Sequence, residues 1–148
     1  MIRQIESVII VIITALDILT FSNCSQQSRT EVTIPAAEVD VVNGTGIHRL
    51  ARAVEQELLS RGFNVYGTGD AVVHYQRTVV RDLRDPQGKT AQAVARALAV
   101  KRRFLCFHWG EQITPEVEVE IDSSRFIDVE IILGDDYQRF FPQVVPLY

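Results

Sequence analysis

With 148 residues, 47% of them hydrophobic and 23% charged, the chain has the size and make-up of one globular domain and lacks the charge-rich, apolar-poor profile of a disordered one. The 15 Lys and Arg stand against 19 Asp and Glu, and a net charge of -4 supplies no positive field for a nucleic acid. Two cysteines, Cys24 and Cys106, are too few for a disulfide framework or a four-thiolate zinc site.

The first element is the apolar run Val8–Phe21, preceded by Arg3 and followed by the polar Ser22–Thr30. A spanning helix wants about 20 apolar residues and a secretory core about 7–15, so the run falls in the shorter class. Asp17 costs about 2.5–3.5 kcal/mol at a bilayer centre and less near one end of the run, where it lies, so a single span is open but marginal. No polar stripe at helical period divides the run, which argues against a buried helix of a cytosolic protein. Cys24 follows at the place of a lipoprotein cleavage site and is a lipidation candidate, although Asn23 and Phe21 depart from the residues such sites carry. Residues 1–22 are therefore expected to be a signal or membrane anchor, and residues 23–35, rich in Ser, Gln and Thr, a polar linker. The folded domain is expected over residues 36–142, with a tail at 143–148.

Within the domain, strand-like Glu38–Val42 leads into Asn43-Gly44-Thr45-Gly46, where two glycines tolerate positive φ. Ile47, Leu50, Ala51, Val54 and Leu58 then recur at helical spacing. The pattern predicts an amphipathic helix over Ile47–Arg61, capped by Thr45 at its start and by Gly62 at its end. A short strand at Phe63–Gly67 follows, then a strand at Arg77–Arg81, a turn at Asp85–Gly88 and a second helix over Thr90–Val100. That helix places Ala91, Val94, Ala95 and Leu98 on one face. The last third is predicted to be β-rich, with strands at Phe104–Trp109, Val117–Ile121 and Ile127–Leu133. Two helices and five or six strands in this order predict an α+β fold. Its single mixed or antiparallel sheet carries both helices on one face, in a βαββαβ-like order with an extra C-terminal strand or hairpin.

Three segments resemble parts of chemical sites. The turn Asn43, Gly44, Thr45, Gly46 joins a strand to a helix, the place where free amides bind anions, but Arg49 replaces the third glycine of G-x-G-x-x-G. It reads as a structural turn and a candidate binding element. Asp85-Pro-Gln-Gly-Lys-Thr90 resembles a phosphate loop, yet Leu83 stands where the leading glycine belongs. A small nucleotide- or phosphate-binding protein using these glycine turns is the alternative function. Cys106 and His108 share one strand face and make at most half of a metal site; among Phe104, Leu105, Phe107 and Trp109, Cys106 reads as a buried apolar residue. Glu116, Glu118 and Glu120 alternate on what should be the wet face of a strand. No catalytic residue, metal or cofactor is expected.

The quoted turn, the helix ending in Arg61-Gly-Phe-Asn-Val, Arg77-Thr-Val-Val, the Ala-rich second helix and Asp128-Val-Glu-Ile-Ile-Leu-Gly-Asp-Asp-Tyr137 together resemble the LytR cell-envelope-related C-terminal domain. The resemblance covers about Val39–Tyr137 in order, and its specific parts are Asn43–Gly46 and Gly134–Tyr137. It implies an extracytoplasmic α+β module which in many relatives follows a LytR–CpsA–Psr catalytic domain that transfers glycopolymers to peptidoglycan. No such catalytic domain is read here, and Arg102–Ile121 is longer than the family's link. The resemblance implies a non-catalytic binding or scaffold module of the cell envelope, with a wall or capsule glycopolymer or an envelope protein as partner. A purely structural oligomerisation domain, pairing through Phe104–Trp109 and Phe140-Phe141, is a third reading.

Overall fold

Val39 and Val41 alternate with Asp40 and Val42, and all but Asp40 are buried, so the first strand lies inside a sheet and not at its edge. In the computed structural model, which describes residues 35–101 and 112–145, the elements follow in chain order. They are β1 (Glu38–Asn43), α1 (Leu50–Ser60), β2 (Asn64–Asp70), β3 (Val79–Asp82), α2 (Lys89–Leu98), β4 (Val100–Lys101), β5 (Gln112–Ile113), β6 (Glu116–Val119) and β7 (Val129–Leu133). A short 3-10 turn, Tyr137–Arg139, follows β7. The apolar run, Cys24, the linker up to residue 34, the predicted strand at Phe104–Trp109, and Cys106 with His108 lie outside the described residues.

Five strands form one mixed sheet in the order β2-β1-β7-β3-β6, and β4 pairs separately with β5. β1 runs parallel to both β2 and β7, β7 runs antiparallel to β3, and β3 runs parallel to β6. α1 packs on β1 and β2, and α2 on β3 and β6. The two helices share one core with Val39, Val41, Val80, Ile131 and Leu133 of the sheet, so both sit on one face, as the sequence predicts. Tyr137, Phe140 and Phe141 complete that core, and the Arg61 guanidinium lies 5.3 Å from the Phe141 ring and donates to the Phe140 carbonyl.

The helices begin and end differently from their patterns. α1 starts at Leu50 and not at Ile47, because the Ile47 carbonyl accepts the Asn43 amide and the chain passes through Arg49 at φ 58 before turning helical. Thr45 does not cap α1; its hydroxyl accepts the Ile47 amide inside the preceding turn. The C-terminus does follow the sequence: Gly62 adopts φ 91, its amide donates to Leu59 and that of Phe63 to Leu58, with Phe63 and Leu58 both buried. This is the glycine-ended Schellman arrangement. α2 ends at Leu98, since Ala99 is already extended and delivers Val100 to β4. β2 runs on through Gly67 and Gly69 to Asp70 because β1 supplies its hydrogen bonds.

Candidate functional site

Because β1, β2 and β7 are parallel, their carboxyl ends meet at one edge of the sheet, with Asn43 flanked by Asp70 on one side and Leu133 on the other. Crevices at the carboxyl ends of parallel strands are the usual ligand positions in such sheets. Asn43 is 5% exposed and spends its whole side chain on holding this edge. Its Nδ2 donates to the Ile47 carbonyl at 2.9 Å and to Asp70 Oδ1 at 3.1 Å, and its Oδ1 accepts the Thr45 amide and hydroxyl. Gly44 donates to the Leu133 carbonyl and accepts the Tyr75 amide. A Cβ there would come within 2.7 Å of that carbonyl oxygen and 2.8 Å of the Tyr75 ring, so only glycine fits. Gly46, by contrast, has φ 74 and open space around it. The four turn residues of the sequence are thus gathered at one place, with Asn43 and Gly44 fixing strands and Thr45 and Gly46 shaping the rim.

Above the turn lies a cleft of about 350 Å³, lined by Asn43, Gly44, Gly46, Ile47, His48, Arg49, Asp70 and Ala71–His74. Arg49 holds a left-handed conformation that costs a non-glycine residue about 1–3 kcal/mol, a kind of strain that concentrates at ligand sites. Val72 and Val73 stand out at the rim, fully and 59% exposed. His48 and His74, far apart in sequence, face the same cleft, and His74 Nε2 meets Asp135 Oδ2 at 3.0 Å. Among the described residues no three His, Cys, Asp or Glu side chains form a metal-ligand group. The second wall, Asp70–His74, carries no sequence signal beyond the glycines before it, and only the β1–β2 pairing brings it here.

Behind the cleft, Gly134 approaches the Arg77 backbone so closely that any Cβ would overlap it. The Asp136 carboxylate accepts the amide and hydroxyl of Thr78 at 2.6 and 2.8 Å, and Asp135 donates its amide to Tyr75. The Gly134–Tyr137 segment therefore clamps the end of β7 to the start of β3.

The phosphate-loop resemblance fails on its amides. Asp82, fully buried, accepts the amides of Arg84, Asp85 and Ala91, and Asp85 accepts those of Gln87 and Lys89. The loop before α2 is filled by the protein's own carboxylates and offers no cradle for a phosphate.

The face of the sheet away from the helices carries an ionic lattice. Arg81 contacts Glu118, Glu120 and Glu130 at 3.1, 3.0 and 3.4 Å and the Tyr75 hydroxyl at 3.2 Å, while Arg125 joins Glu130 to Asp40. Glu116, Glu118 and Glu120 are exposed, as their alternation predicts. Burial pushes the Asp40 carboxyl above its ordinary value despite the Arg125 guanidinium beside it. Its hydrogen bond to the Glu130 carboxylate pushes the Arg125 guanidinium upward in turn.

A family model described as LytR cell envelope-related transcriptional attenuator matches residues 36–137. No curated protein and no solved structure matches the chain.

Proposed function

Because the chain belongs to the family of the LytR cell envelope-related transcriptional attenuator, we propose that it is a non-catalytic binding module of the bacterial cell envelope. Its ligand in this reading is a wall or capsule glycopolymer, with an envelope protein as the other partner class. Residues 1–22 export or tether it, by a cleaved signal, a retained span or lipidation at Cys24, and residues 23–35 act as the spacer. The family is cell-envelope-related.

The observation that carries the reading is the cleft at the carboxyl ends of β1, β2 and β7. Its floor groups, Asn43 and Asp70, are held by one another, whereas its rim presents imidazole, guanidinium and backbone groups to solvent. Such a surface exchanges hydrogen bonds with a hydroxyl-rich chain and fixes its position. Co-sedimentation of the full chain with purified cell walls tests it. The chain should pellet with walls that carry their glycopolymer and stay in solution with walls stripped of it; equal pelleting with both sinks the glycopolymer reading. A reporter fused after residue 35 should be found outside the cytoplasm, and a cytosolic reporter sinks the location.

A further inference from the structure

We propose that the outer edge of β6 docks an extended segment of another protein, one in which Lys or Arg alternates with apolar residues, as a further strand of the sheet. This surface lies apart from the cleft and does not depend on what the cleft binds. β6 ends the order β2-β1-β7-β3-β6, and among the described residues only β3 pairs with it. The Glu116 and Glu120 amides donate inward, to the Thr78 and Asp82 carbonyls at 3.1 and 3.0 Å. Strand alternation turns the amides and carbonyls of Val117 and Val119 the other way, onto the open edge. Such a row of backbone groups is a template for one more strand.

The two sides of β6 set what that strand carries. On the helix side Val117 packs against the main core, and Val119 lies so close to Gly88 that a Cβ added there would come within 2.9 Å of Val119 Cγ2. Val119 and Ile121 are nonetheless 46% and 53% exposed, an apolar strip that a facing aliphatic side chain would cover.

On the opposite side stand Glu116, Glu118 and Glu120, all with exposed side chains. Glu118, Glu120 and Glu130 share the single guanidinium of Arg81. Counted as whole charges, that face holds Asp40, Glu116, Glu118, Glu120 and Glu130 against Arg77, Arg81 and Arg125, an excess of two negative charges. Lys89 and Asp85 on the α2 side balance each other, as do Arg84 and Asp122 beyond the strand. A cation at every second position of the incoming strand meets this excess, since opposite charges across a strand pair attract and like charges repel.

The same rule excludes a second copy of this chain's sheet as the occupant. Pairing β6 with β6 about a two-fold axis sets glutamate against glutamate. The other free edge, β2, contains no Lys or Arg in Asn64–Asp70.

The test titrates the full chain, in non-ionic micelles, with a short end-blocked peptide of alternating Lys and Val. A Glu/Val peptide of the same length and an N-methylated Lys/Val peptide are the controls. The Lys/Val peptide should bind roughly tenfold or more tighter than either. Hydrogen exchange at the Val117 and Val119 amides should slow when it binds. Val119→Pro removes an outward amide that β3 does not use, so the fold should persist by circular dichroism while peptide binding is lost. Glu116→Gln combined with Glu118→Gln and Glu120→Gln should weaken the Lys/Val peptide roughly tenfold. No peptide binding, equal affinity for the Lys/Val and Glu/Val peptides, or undiminished binding by folded Val119→Pro overturns the proposal. So does a dimer of the chain that Val119→Pro dissociates. Should Val119→Pro fail to fold, the triple glutamine variant decides: unchanged Lys/Val affinity there overturns the proposal as well.

Discussion

A single methyl group at position 134 tests how the two halves of the sheet are joined. Gly134 follows β7, and a Cβ built on it overlaps the backbone nitrogen, carbon and oxygen of Arg77, just before β3. Its φ is not among the positive values of the chain, so alanine meets no conformational strain there and the effect is steric. Overpacking against yielding side chains costs about 1–3 kcal/mol. Arg77 yields less, because the chain on either side of it is held, after it by Thr78 on Asp136 and by Gly134 on Thr78 Oγ1 at 3.3 Å, and before it by Asp135 on Tyr75 at 3.1 Å. Displacing it disturbs these four bonds, each worth about 0.5–1.5 kcal/mol net, so Gly134→Ala should cost about 3–9 kcal/mol in all. At about 4–8 °C per kcal/mol for a domain near this size, the melting midpoint should fall by at least ~12 °C. Urea unfolding followed by circular dichroism measures this, with two glycines as internal controls. Gly69→Ala, with open space and ordinary φ, should stay within about 0.5 kcal/mol. Gly46→Ala, with open space and φ 74, isolates backbone strain at about 1–2 kcal/mol. A cost below ~1 kcal/mol for Gly134→Ala, or one no larger than that of Gly69→Ala, would refute the steric clamp.

Three further outcomes follow from burial and bonding. Leu50→Ala, in the main core, and Ile132→Ala, in the smaller cluster with Val42 and Val79, should each destabilise by about 2–5 kcal/mol in denaturant titration, with Leu50 toward the upper end. Costs below ~1 kcal/mol at both would mean that the strand and helix facings are wrong. Asp82→Ala strips three amides of their acceptor and should cost at least ~3 kcal/mol, read as early loss of amide protection in α2 by hydrogen exchange; unchanged protection would contradict the capping role. Burial holds the Asp40 carboxyl above 3.8, so the folded state keeps that proton longer than the unfolded chain. Its contribution therefore favours folding below the unfolded value and is lost as pH rises through the folded one. An NMR titration should place the Asp40 midpoint above 3.8, and a midpoint at or below it would show that Arg125 outweighs burial.

Periodicity made most of the fold legible. The buried residues of α1 are Leu50, Ala51, Val54 and Leu58, and those of α2 are Ala91, Val94, Ala95 and Leu98, the faces that helical spacing selects. Gly62 was legible as a stop because a left-handed residue is a local requirement. The start of α1 was not. Thr45 has the side chain of a cap, yet Asn43 claims it, and Asn43 is in turn oriented by Asp70, 27 residues along the chain. Likewise Gly67 and Gly69 look like the end of a strand, but pairing with β1 carries β2 past them. Local propensity decides an element only until a neighbouring strand offers a better set of hydrogen bonds.

The two glycine turns make the same point for the site. By residue type, Asp85-Pro-Gln-Gly-Lys-Thr90 is the closer match to a phosphate loop, and Asn43-Gly-Thr-Gly46 the poorer one. Both precede a helix whose first residue follows a left-handed position, Gly88 at φ 63 and Arg49 at φ 58, and neither helix has a side-chain bond from its cap residue. What separates them is the source of negative charge. At α2 the strand before the turn ends in Asp82, and the turn itself begins at Asp85, so the chain brings two carboxylates onto its own amides. At α1 the strand ends in Asn43, an amide that organises the turn but carries no charge, and the nearby Asp70 is spent on that amide. The Asp-for-Asn difference at the end of a strand closes one turn with the protein's own anion and leaves the rim of the other, with Arg49 and His48, facing a cleft.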